Sequence, residues 1–117
     1  MKITEVKEIL DAKVLTGEKM LDTEVKSAFG SDLMSDVLAF VNDKVLLLTG
    51  LVNPQVVRTA EMMDISAIVF VRGKCPDEDV IALAKAKDIA ILTTEHTLYV
   101  ASGMLYCKGL TGDEKGV

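Results

Sequence analysis

Three apolar runs at equal spacing constrain this chain most. Val45-Leu46-Leu47-Leu48-Thr49, Ala67-Ile68-Val69-Phe70-Val71 and Ile89-Ala90-Ile91-Leu92-Thr93 begin 22 residues apart, from 45 to 67 to 89. An uninterrupted apolar run of strand length suits a strand buried on both faces, as parallel sheets require. The segments between the runs leave room for one helix and two loops each. The pattern therefore predicts consecutive right-handed βαβ units and a mostly parallel sheet with helices on both faces, an α/β fold in a single three-layer domain.

The intervening segments carry helix signals. Asn53-Pro54 is a strong start, because Asn caps free backbone N–H groups and Pro tolerates the first helical position. Pro76 followed by Asp77, Glu78 and Asp79 puts acids where they complement a helix dipole. A last helix starts near Thr97, uses Leu98, Ala101 and Leu105, and stops before Gly109. Upstream, Met34, Val37, Leu38 and Val41 follow the capping side chains of Ser31, Asp32, Ser35 and Asp36 at helical steps. Ile3, Val6, Ile9 and Leu10 predict a short N-terminal helix. Lys13 to Thr16 and Glu24 to Phe29 read as two modest strands. Residues 1–110 form the predicted domain, and 111–117 a polar, glycine-containing flexible C-terminal tail.

At 117 residues the chain fits one domain. Its net charge of −5 and lack of a basic run argue against nucleic-acid binding, which relies on clustered Lys and Arg. No apolar stretch approaches the length of a membrane span, and the early Glu5 does not fit a secretory signal, so the expected location is cytoplasmic. Cys75 and Cys107 are too isolated for a disulfide framework or a zinc site and are expected to be reduced thiols. No cofactor is implied.

Parallel sheets bind ligands beyond the carboxyl ends of their strands. Here those ends carry Ser31 and Asp32, Thr49 and Gly50, Arg72, Gly73 and Lys74, and Thr94 and His96. Two cations, several hydroxyls and two glycines would converge on one rim, a chemistry suited to a small anion such as an adenine nucleotide or a phosphorylated metabolite. Each residue also has a plain structural role: glycine turns chains, short polar side chains cap helices, and loop cations are solvated. Gly73-Lys74 is a near miss to a phosphate-binding P-loop, with Ile68 where that motif needs Gly and Cys75 where it needs Ser or Thr. No complete catalytic motif is present, and the chain is expected not to be an enzyme. An acid–base site using His96 with Asp32 or Glu95 depends on their distance in the fold.

Gly30-Ser31-Asp32-Leu33-Met34-Ser35-Asp36-Val37-Leu38-Ala39 and Val71-Arg72-Gly73-Lys74-Cys75-Pro76-Asp77-Glu78 resemble the DRTGG-domain family over nearly the whole chain. That family is similar to the N-terminal domain of HPr kinase/phosphorylase. It also occurs within some phosphotransacetylases, between CBS domains of certain inorganic pyrophosphatases, and as free-standing copies, which this chain resembles. The resemblance implies an α/β regulatory or signalling module that pairs with itself, and not the kinase activity, which belongs to a separate P-loop domain. The chain departs from the motif: Val71-Arg72-Gly73-Lys74 retains one glycine of two, and Val52-Asn53-Pro54 replaces an Asp-Arg pair. The alternative to a ligand sensor is an interaction module, a homodimer or a docking subunit for a kinase or redox enzyme. Met20, Met34, Met62, Met63 and Met104 would offer it adaptable apolar contacts.

Overall fold

A computed structural model describes residues 1–112. The three apolar runs form β3 (Val45–Thr49), β4 (Ala67–Phe70) and β5 (Ala90–Thr93), and they lie side by side and co-directional. Before them come α1 (Ile3–Leu10), β1 (Lys13–Thr16), a 3₁₀ turn at Glu18–Met20, β2 (Ser27–Gly30) and α2 (Met34–Phe40). The remaining helices are α3 (Pro54–Met62), α4 (Glu78–Ala86) and α5 (Leu98–Cys107). The sheet order is β1-β5-β4-β3-β2, parallel throughout except for β1, which joins β5 antiparallel.

Side-chain alternation divides each buried strand between two cores. Leu46, Leu48, Ala67, Val69, Ala90 and Leu92 pack under α1 and α5. Val45, Leu47, Ile68, Phe70 and Ile91 pack under α2, α3 and α4. Strands that are sequential neighbours, joined by crossovers of one hand, send their helices to one face, so α2, α3 and α4 form one layer. The opposite face is left to α1 and α5, which pack on each other. Both faces of the sheet are thereby covered, which explains why β3 and β4 are buried at every position.

Edge strand β1 reaches β5 through a close approach. A side chain added at Gly17 would lie 2.7 Å from the Ala90 Cα, and Gly17 has a φ of +91°. Only glycine fits both conditions.

Two local expectations are corrected. The strand expected over Glu24 to Phe29 begins at Ser27, because Glu24 and Val25 pair instead with the N-terminal residues: Lys2 and Glu24 form an isolated antiparallel bridge, and the Val25 N–H donates to the Met1 carbonyl at 2.7 Å. The capping side chains before α2 do not cap it either. Leu33 occupies the N-cap position, Ser31 accepts from the Leu33 N–H in its own turn, and Asp32 is drawn to donors on the neighbouring strand. Asn53 does cap α3, accepting from the Gln55 N–H at 3.0 Å, and Thr97 caps α5 through the Val100 N–H. The Thr111 carbonyl accepts from the Ala28 N–H at 3.1 Å, so the chain beyond α5 runs along the outer edge of β2. The rest of the expected tail, 113–117, lies outside the described residues.

Candidate functional site

The parallel register brings the ends of β2, β3, β4 and β5 to one rim. Gly30 is level with Leu48, Thr49 with Phe70, and Phe70 with Thr93. Backbone bonds then tie each trailing loop to its neighbour. Ser31 donates to the Leu48 carbonyl (3.1 Å), Val71 to Thr49 (3.0 Å), Arg72 to His96 (2.8 Å) and Gly73 to Thr94 (2.8 Å). The rim is thus a laced surface and not a set of independent loops.

Arg72 and Gly73 form the sharpest part of this surface. Both are left-handed, with φ of +59° and +67°, and the Lys74 N–H closes the turn on the Val71 carbonyl at 3.1 Å. Two consecutive positive φ values are the signature of a type I′ turn, which normally selects Gly or Asn at both positions. An arginine there is held against its preference by about 1 kcal/mol or more. The other non-glycine left-handed residues have ordinary settings: Asp11 ends α1, Asp64 and Asp88 follow the ends of α3 and α4, and Lys44 turns the chain into β3.

The Arg72 side chain crosses to the end of β3. A Cβ at Gly50 would fall 2.5 Å from its Nη2 atom, so the guanidinium lies directly over the Gly50 backbone. Gly73 plays the same part for Glu95, whose Oε2 lies 2.6 Å from where a Gly73 Cβ would be. Asp32 approaches Gly50 from the other side, accepting from its N–H at 2.7 Å and from the Thr49 hydroxyl at 3.1 Å. Reading across the strand ends, the side chains alternate in charge: Asp32, Arg72, Glu95. Arg72 and Lys74 form no ion pair with another described residue and are exposed.

The other expected residues divide by burial. Thr49 and Thr94 are buried, and their hydroxyls are bonded within the protein, Thr49 to Asp32 and Thr94 to the Leu10 carbonyl at 2.8 Å. Ser31 and His96 are half-buried. Among the described residues the His96 imidazole forms no direct hydrogen bond or ion pair with Asp32 or Glu95, and Asp32 is bonded instead to Thr49 and Gly50. The ligand-binding set expected from sequence omitted Glu95, which entered only as an acid–base partner for His96, although it lies within the strand-end segment. Nothing in the sequence signals that its carboxylate turns back over Gly73. Cys75 and Cys107 are free and exposed. Among the described residues no cluster of acids, His and Cys could hold a metal, and no helix is long and apolar enough to cross a membrane.

Next to Gly50, the starts of α3 and α4 enclose a shallow cleft of about 330 Å³. Leu51, Val52, Pro54 and Val80 supply its apolar surface, with Asn53, Asp77 and Asp79 at its margins.

A family model for the DRTGG domain matches residues 5–106. The chain belongs to the DRTGG domain family. Among solved structures, this DRTGG domain is similar to the CBS and DRTGG domains of the regulatory region of Clostridium perfringens pyrophosphatase, complexed with its activator diadenosine tetraphosphate. The TM-score is 0.74 at 18% identity, with 96% of this chain and 51% of that chain covered. Identity this low establishes a shared fold, and the present chain spans about half the length of that regulatory region. None of the curated proteins compared with the chain matches it.

Proposed function

We propose that this DRTGG domain is a non-catalytic regulatory module that binds a small anionic ligand, such as an adenine nucleotide, at its strand-end rim. The observation that carries the reading is Arg72: a strained, exposed arginine laid across a glycine, with Lys74 two residues on and no carboxylate ion-pair partner among the described residues. Backbone strain held in place at a ligand rim, where a glycine would relieve it, is a mark of functional positions. Arg72 and Lys74 take the phosphate. The cleft beside Gly50 offers a base its apolar surface, at the small end of the usual range for ligand sites. Asp32, Thr49 and Thr94 hold the rim in shape, with Ser31, Gly50, Gly73 and His96 bordering the ligand. Family membership and the likeness to a pyrophosphatase regulatory region that takes a dinucleotide activator support the same reading.

A thermal-shift series with AMP, ADP, ATP and diadenosine tetraphosphate tests it. Ligand at a hundred times its Kd adds about 2.7 kcal/mol of stability, enough to raise Tm by several degrees. No response to any of them at millimolar concentration overturns the reading.

A second reading is favoured by the exposed apolar side chains at the β2 edge. Leu33, Leu38 and Phe40 stand in solvent, and Phe40 stacks on Phe29 with ring centroids 6.5 Å apart. A homodimer or a docked kinase or redox enzyme would cover them. Light scattering at high micromolar concentration tests self-association, and co-purification tests docking.

A further inference from the structure

The charge order along the rim restricts which anion fits. Arg72 lies over Gly50, where the Asp32 carboxylate is already bonded, and the next loop sets the Glu95 carboxylate over Gly73, the residue between Arg72 and Lys74 in the chain, without an ion pair to either. Two cations flanked by two carboxylates make a poor cradle for a bare polyanion, because each added negative charge meets an acid as well as a base. Ionised carboxylates accept hydrogen bonds and donate none, so they favour a ligand that brings donors. Asp32 has spent one oxygen on Thr49 and Gly50. Glu95 is exposed, and its carboxylate makes no hydrogen bond or ion pair with a described residue, so it is available to a ligand.

Resting on the sensing reading above, we infer that Glu95 makes the rim selective for a phosphate monoester carrying hydroxyl donors, a ribonucleoside phosphate, over inorganic phosphates. Arg72 and Lys74 hold the phosphoryl oxygens, and Glu95 accepts from the ribose hydroxyls. A carboxylate bonded to a ribose diol recurs at parallel-sheet nucleotide sites for this reason. The same carboxylate repels pyrophosphate, which offers it nothing.

The test measures Kd by calorimetry for AMP, 2′,3′-dideoxy-AMP and pyrophosphate on the whole chain and on Glu95→Gln. A thermal melt checks that the variant, altered at an exposed side chain, is folded. Wild type should bind AMP about tenfold or more tighter than either other probe, the usual effect of one hydrogen bond to a charged group. Glu95→Gln should tighten pyrophosphate, weaken AMP and leave the dideoxy analogue unable to tell the two proteins apart. Pyrophosphate binding as tightly as AMP, or a substitution that leaves their ratio unchanged, overturns the selectivity while leaving the sensor reading intact. Failure of all three probes to bind overturns the selectivity, and the sensor reading falls with it when ADP, ATP and diadenosine tetraphosphate also give no thermal shift.

Discussion

The Thr94 hydroxyl donates to the Leu10 carbonyl at 2.8 Å across 84 residues of sequence, joining the rim end of β5 to the C-terminus of α1 inside the protein. Thr94 is buried, so this bond has no competition from water. Thr94→Val keeps the shape and removes the donor, leaving a buried carbonyl without this partner. The expected loss is about 1–3 kcal/mol by urea denaturation, with Thr94→Ser retaining most of the stability. A Thr94→Val protein as stable as wild type would show the bond to be dispensable.

Arg72 should trade stability for binding. Arg72→Gly relieves the left-handed strain but adds freedom to the unfolded chain, so folding stability should be unchanged or improved by up to about 1 kcal/mol. Ligand binding in the thermal-shift series should disappear. A clear loss of stability would mean that the guanidinium is structural.

Two glycines separate the rim from the scaffold. At Gly50 an added Cβ meets only the exposed end of Arg72, which can swing away. Gly50→Ala should therefore cost less than about 1 kcal/mol while weakening ligand binding. At Gly17 the clash is with the Ala90 backbone at positive φ, and Gly17→Ala should cost more than about 2 kcal/mol, because neither side can move cheaply. Equal melting temperatures for the two variants would refute this distinction.

The N-terminal tether should respond to acid. The Met1 ammonium group, through its hydrogen bond at 2.9 Å and its charge, holds the Glu24 carboxyl below the usual range; slight desolvation opposes this, and Lys2 and Lys44 assist. A carboxyl depressed in the folded state stabilises above its unfolded pKa and loses that contribution as pH falls through the folded value. The small Tm difference between wild type and Glu24→Gln should hold at neutral pH and close as the pH falls below about 4. A gap that persists in strong acid would assign it to something other than the ion pair.

Much of the scaffold was legible because its signals are local. Leu46 to Leu48, Ile68 to Phe70 and Ile91 are apolar at consecutive positions, and only strands covered on both faces tolerate that. Asn53 and Thr97 mark helix starts because a cap bonds backbone two or three residues away. Glu24 and Asp32 misled a local reading because each bonds across a long stretch of chain, Glu24 to Met1 and Asp32 to Thr49 and Gly50.

The amino-acid sequence alone determined the parallel β3-β4-β5 core, the helices between its strands and the edge where their loops meet, since hydrophobic period and capping act over a few residues. The tertiary structure decided that β1 closes the sheet in the opposite direction, that Arg72 adopts a left-handed backbone and lies over Gly50, and that Glu95 turns onto Gly73. Those outcomes depend on which backbone lies beside which once the sheet has formed, and a side chain's direction at a strand end is set by the neighbouring strand.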